Sequence, residues 1–192
     1  NAVAGNVAAN AGGVVKSQSL STAPAAGKAV DTFISSTTIG GGAATVTIGS
    51  AGDVGLVSAN GAGGSTVTVD GKVNSNASAN SNFNEFSQVS SEIRDAANAT
   101  TETSFKFASK QVGNSTKLTV GKAGSVTGNA NAITSGTGDA TINVDGTVGG
   151  AVTANATGSS SSFASKTTLF PAAPTDFITD STQSNSAIGG AA

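Results

Sequence analysis

The chain has 192 residues, of which 37% are hydrophobic, 4% are aromatic and only 10% are charged. Tyr, Trp, Met, His and Cys are absent, so disulfides, thiolate or imidazole metal sites, and Ser-His or Cys-His nucleophiles are excluded. A net charge of −2 with scattered Lys and Arg argues against a nucleic-acid partner. The sequence contains no run of about eighteen apolar residues, so we predict no transmembrane helix.

Gly, Ser, Thr, Asn and Val supply most of the chain instead. Gly and Asn tolerate the backbone angles of tight turns, and Thr and Val suit the pleated surface of a strand. We therefore expect an all-β fold and a protein that is not an enzyme, with no catalytic residues.

The N-terminal segment, residues 1–20, begins with Ala, Asn, Gly and Val and has no initiator Met. Such a start is typical of a secreted chain after signal-peptide removal, so we expect an extracellular, cell-surface location. A solvated tail would leave the apolar side chains of Val3, Val7, Val14 and Val15 without contacts. They are the candidate assembly residues of an extended strand that pairs with a neighbouring subunit.

A duplication is visible further along the chain. Two stretches of each copy match in order and in spacing, about 72 to 80 residues apart. In one pair, Val46–Val54 reads VTIGSAGDV and Leu118–Val126 reads LTVGKAGSV. In the other, Thr66–Val73 reads TVTVDGKV and Thr141–Val148 reads TINVDGTV.

A shorter period inside each copy predicts the architecture. An apolar-x-apolar strand followed by Gly and a further Val recurs after 21 residues in the first unit (21–83) and after 24 in the second (112–180). One short strand per period of this length is what a β-solenoid, or β-helix, requires, with Val, Ile and Ala stacked in a narrow interior. We predict a β-solenoid built from the duplicated unit. The alternative is a β-sandwich of short antiparallel strands.

Residues 84–111 form a charged segment that connects the two units. Val89 and Ile93 have helical spacing and Ser87 is a suitable N-cap, so we predict a short helix here. Residues 181–192 contain little that can be buried, and we predict a flexible tail.

Two Asp-Gly turns, Asp70-Gly71 and Asp145-Gly146, are the candidate calcium sites, because solenoid turns sometimes use Asp oxygens as ligands. Each turn offers a single carboxylate, whereas a calcium site needs several oxygens. A plain Asp-Gly turn is the simpler interpretation, so we expect no cofactor.

The Gly-, Ala-, Asn-, Ser- and Thr-rich strands of Thr45–Val73 and Leu118–Val148 resemble the β-solenoid repeats of bacterial surface adhesins and extracellular filament subunits. The resemblance implies a secreted bacterial surface protein that polymerises, adheres or builds a sheath. We expect a structural subunit that is its own partner, joining head to tail through strand edges or terminal strand exchange.

A binding module is the alternative function. Thr45-x-Thr47 and Thr66-x-Thr68 resemble the regular Thr arrays of ice-binding solenoids. Such a module would be an adhesin, or would bind a surface polysaccharide or ice through a Ser/Thr/Asn-rich face.

Overall fold

A computed structural model describes residues 5–25, 28–95, 100–169 and 177–192, which form strands and contain no helix. In chain order the strands are β1 (Val7–Ala11), β2 (Gly13–Ala25), β3 (Lys28–Gly40), β4 (Ala44–Ile48), β5 (Asp53–Val54), β6 (Val57–Gly61), β7 (Ser65–Val69), β8 (Lys72–Val73), β9 (Ala77–Ser81), β10 (Phe83–Asp95), β11 (Thr100–Val112), β12 (Thr116–Val120), β13 (Ser125–Val126), β14 (Ala130–Thr134), β15 (Ala140–Val144), β16 (Thr147–Val148), β17 (Val152–Ala156), β18 (Gly158–Leu169) and β19 (Phe177–Ile188).

Three of the four sheets are parallel, and the chain visits them in a fixed rotation. Sheet 1 has the order β4-β7-β12-β15, sheet 2 has β5-β8-β13-β16, and sheet 3 has β1-β6-β9-β14-β17. Each passage through sheets 1, 2 and 3 is called a triplet here, and the four triplets are β4–β6, β7–β9, β12–β14 and β15–β17. Every triplet therefore adds one strand to each parallel sheet.

The triplets are stacked in register, so that equivalent residues form ladders. Val46, Val67, Leu118 and Ile142 lie opposite one another in sheet 1. Strict alternation sends one set of side chains inward, and the inward residues of β7 and β9 are all buried. Among the described residues, the buried hydrophobic side chains are Val, Leu, Ile and Ala, and small polar residues such as Ser65 and Thr116 are buried with them. Small side chains suit this core because three sheets meet around it.

The all-β class predicted from the sequence is confirmed, and the matched repeats occupy equivalent strands. Val46–Val54 spans β4 and β5, and Leu118–Val126 spans β12 and β13. Parallel pairing in three sheets differs from the antiparallel sandwich that was the alternative.

The predicted helix after Ser87 is wrong, because Phe83–Asp95 is the strand β10. Val89 and Ile93 are four residues apart, a spacing that also places two side chains on one face of a strand. The segment forms a strand and not a helix because it pairs with β3 on one side and with β11 on the other.

The C-terminal segment also differs from its prediction as a flexible tail. Residues 181–188 lie in β19, which pairs with β18 along its length. A polar strand of this kind buries little, and its backbone is satisfied by the hydrogen bonds of the neighbouring strand.

Hairpins build the fourth sheet, called the hairpin sheet, which is antiparallel with the order β19-β18-β11-β10-β3-β2. Each hairpin follows a sheet 3 strand, and two triplets separate one hairpin from the next. Two triplets advance each parallel sheet by two strands, about 9.6 Å, and one hairpin advances the hairpin sheet by the same two strand spacings. This match explains why the sequence repeats once per two triplets.

A row of glycines forms the corner between sheets 1 and 2. A Cβ added to Gly71 would lie 2.4 Å from the carbonyl oxygens of both Gly49 and Gly52, and one added to Gly146 would lie 2.3 Å from that of Gly124. Backbone of successive triplets therefore meets directly at this corner, without room for a side chain.

Gly71→Ala is accordingly expected to destabilise the fold by about 1–3 kcal/mol, the usual cost of overpacking. Urea unfolding followed by circular dichroism measures the loss. Gly49→Ala is the matched control, because a Cβ at Gly49 meets nothing within 4 Å. Equal stability of the two variants would contradict the close approach of the triplets.

Candidate assembly site at the open end of the parallel sheets

The ladders of the parallel sheets end at β15, β16 and β17, and their last members are uncovered. In sheet 1, Ile48, Val69 and Val120 are 5%, 0% and 0% exposed, whereas Val144 at the end of the same ladder is 40% exposed. The site therefore consists of core-type side chains without the next layer of core.

Sheet 3 ends in the same way. Val57, Ala77 and Ala130 are fully buried, and Val152, their partner in the last strand, is 52% exposed. Ile142 and Val148 are only partly buried at the same end. We call Ile142, Val144, Val148 and Val152 the open end.

The backbone at the open end is also available for pairing. β15, β16 and β17 contain no charged residue and no Pro, the features that usually block an exposed strand edge. The chain itself uses part of this edge, since Ala140 N donates to Ala191 O at 2.8 Å. The same bond joins Thr116 N to Asp139 O one layer below, so Ala191 lies where a further triplet would begin.

The opposite end is formed by β1, β4 and β5, and β5 begins with the charged residue Asp53. Its inward residues Val46, Ile48 and Val54 are 6% exposed or less, and Val7 of β1 packs against them in the core. The two ends thus present equivalent ladder positions with different exposure, and they face opposite directions along the stack.

The structure separates the four valines predicted as assembly residues. Val7 pairs with Val57 at the first end of sheet 3. Val14 and Val15 lie in β2, opposite Ile39 and Thr38 in the hairpin sheet, and the Val15 side chain is 64% exposed. Val3 lies outside the described residues. The pairing partners of β1 and β2 are thus supplied by the same chain.

The open end itself was missed by the sequence analysis. Val144 and Val152 are the same residue types as their buried ladder partners, so no local signal marks them as exposed. The duplication only places Val144 and Val152 in the same rows as these buried partners.

The candidate calcium ligands do not come together. Asp70 and Asp145 follow β7 and β15, two triplets apart, which corresponds to about 9.6 Å along the stack. In the described part of the chain, no three or more acidic side chains are grouped so that they could hold a metal ion.

The Thr residues of sheet 1 form two outward rows. One row contains Thr45, Thr66, Lys117 and Thr141, and the other contains Thr47, Thr68, Thr119 and Asn143. Lys117 and Asn143 interrupt an otherwise uniform array.

Comparison with known proteins adds no relative: no family model, curated protein or solved structure matches the chain. Within the described ranges, no helix has the length and apolar character needed to cross a membrane.

Proposed function

We propose that the triplets are successive coils of a β-solenoid, and that the chain is a structural subunit whose copies join end to end through the coil edges. The stack would form a filament, sheath or surface layer. It would be extracellular, because the sequence predicts that the chain is secreted. The exposure of Val144 and Val152 at 40% and 52% is the observation that carries the proposal.

The physical argument rests on burial. A solenoid layer that is not covered by another layer exposes core residues and unpaired backbone to water. Val144 and Val152 of the open end are exposed in this way. Stacking a further layer from another copy on the open end would bury both side chains.

The polarity of the strands determines the geometry. Parallel sheets continue only if the next layer runs in the same direction, so β17 of one copy would pair with β1 of the next. Sheet 3 has one strand more than sheets 1 and 2, so this pairing leaves one strand level of sheets 1 and 2 open at the junction. A contact between two different surfaces of identical subunits propagates without closing, and it therefore produces a fibre. Ala191 is displaced or incorporated at this junction, since it already occupies the edge of β15.

Val152→Asp tests the proposal. An unpaired carboxylate buried in the contact costs about 3–5 kcal/mol, so the concentration needed for fibre formation is expected to rise by about 100-fold or more. Negative-stain electron microscopy and light scattering of the purified chain across a concentration series provide the measurement.

Ile34→Asp is the matched control, because Ile34 is 41% exposed in β3, which is paired on both sides within the hairpin sheet. Fibres from wild type and Ile34→Asp, but not from Val152→Asp, are the expected result. Particles that stay monomeric at every concentration in all three proteins would overturn the proposal.

A second candidate function has one supporting observation, the two Thr rows on the outer face of sheet 1. Six of the eight positions in these rows are Thr, in a regular lattice set by strand spacing. A protein that remains monomeric in the electron-microscopy experiment would favour a module that binds polysaccharide or ice through these rows.

A further inference from the structure

The hairpin sheet extends from the parallel sheets as a single layer, and its two broad faces are chemically different. No residue of β11 or of β18 is fully buried. A sheet of long strands that is open to water on both faces buries no core, so one face is expected to be covered by a partner.

Alternation along the strands places the aromatic residues on one side. Phe33 and Phe105 both lie opposite Ser90, and Phe107 lies opposite Phe163. The Phe105 and Phe163 ring centroids are 6.2 Å apart. We call this side the aromatic face, and it comprises Leu20, Phe33, Phe86, Phe105, Phe107 and Phe163.

Charges are fewer on the aromatic face and are balanced there. Its described charged residues are Lys16, Asp31, Glu92 and Arg94, two of each sign. Arg94 forms an ion pair with Asp31, and Glu92 accepts a hydrogen bond from Thr100 Oγ1. The reverse face carries six described charges, Glu85, Glu102, Lys106, Lys110, Lys166 and Asp180, in keeping with a solvated surface.

We propose that the aromatic face docks against the same face of a second copy of this chain. Two such faces would pack as a sandwich, with their sheets about 10 Å apart. This lateral contact uses a different surface from the open end, and it does not depend on end-to-end joining.

Three features favour a second copy as the occupant. The net charge of the described face is zero, so two identical faces do not repel each other. Phe86 and Phe163 are 38% and 37% exposed, and a shallow groove between Leu20, Phe33 and Phe105 lies on the same face. Projecting rings and a groove on one surface suit a two-fold contact, in which each copy supplies both.

The area of the aromatic face is also large enough for a stable dimer interface. Six strands of about twelve residues cover roughly 29 Å by 40 Å, or about 1,000 Å² per partner. Burying both faces removes about 2,000 Å² from water, at the upper end of the range for specific, stable interfaces.

The test separates lateral docking from end-to-end joining by using Val152→Asp as the parent protein. Sedimentation velocity of this parent is expected to show a dimer. Adding Phe86→Ser and Phe163→Ser is expected to weaken dimerisation by at least about tenfold, whereas Val15→Ser and Ile34→Ser on the reverse face should leave it unchanged. Val15 and Ile34 are 64% and 41% exposed, so both are apolar side chains that are at least as exposed as Phe86 and Phe163.

A second measurement keeps the test independent of folding defects. The chain has no Cys, so a single nitroxide label can be attached at Gln88→Cys, between Phe86 and Phe107 on the aromatic face, or at Val89→Cys on the reverse face. Docking gives dipolar coupling between copies that is stronger for Gln88→Cys. A parent that stays monomeric, or that shows stronger coupling for Val89→Cys than for Gln88→Cys, overturns the proposal.

Discussion

Deleting residues 62–81, which removes the triplet β7–β9, is expected to break the hairpin sheet although each remaining triplet is intact. The deletion joins Gly61 to Asn82, so β10 still follows a sheet 3 strand. Only one triplet then separates the first two hairpins, and this spacing leaves room for one hairpin strand where two are required. β3 and β10 would occupy the same level of the stack and could not pair.

The lost pairing is large. β3 and β10 are matched over ten residue pairs, from Phe86 and Thr37 to Asp95 and Lys28. We expect a loss of more than about 5 kcal/mol in the free energy of unfolding, beyond the range of most single substitutions. Hydrogen exchange measured by mass spectrometry should show that the backbone amides of 28–40 and 83–95 lose their protection.

Deleting residues 82–156 is the matched control, even though it removes more of the chain. It joins Ser81 to Thr157 and takes out one hairpin together with two triplets, so the remaining hairpins keep their spacing. The shortened protein should unfold cooperatively with its β3 amides protected by β18. Equal protection of β3 in both deletions would refute the idea that hairpins and triplets must advance together.

Much of sheets 1 and 2 could be predicted from the sequence, because their strands alternate Val, Ile or Leu with polar residues and end at Gly. The strands of sheet 3 are less visible. Ala79 and Ala132 fill its buried positions, and alternating Ala with Asn or Ser looks like a polar loop. The interior there is narrow, so Ala is the side chain that fits.

The hairpins could not be predicted, because their strands have no continuous apolar pattern of their own and are stabilised by the strands that pair with them. Residues 181–188 read as a tail until β18 is placed beside them, and β10 reads as a helix until β3 and β11 are placed on either side. The open end was hidden for a related reason. Exposure of Val144 depends on the absence of another layer, and no single segment of sequence contains that information.

Leu118→Ala is the substitution expected to damage the core most. Leu118 is fully buried, is the largest of the fully buried side chains, and lies between Val67 and Ile142 in its ladder. Truncation removes apolar contacts and leaves a cavity, because the backbone ladders on both sides prevent the neighbouring strands from closing in. The expected loss is about 2–5 kcal/mol, seen as a lower urea midpoint with an unchanged slope.

Ile142→Ala is the informative comparison, because Ile142 occupies the next rung of the same ladder but is only partly buried at the open end. In dilute protein its truncation should cost clearly less than Leu118→Ala, since water already reaches the side chain and little cavity forms. Stacking of copies would bury Ile142 as completely as Leu118, so the two losses should converge when stability is measured on assembled protein. A loss for Ile142→Ala that matches Leu118→Ala even in dilute monomer would contradict the exposed end from which the assembly proposal is argued.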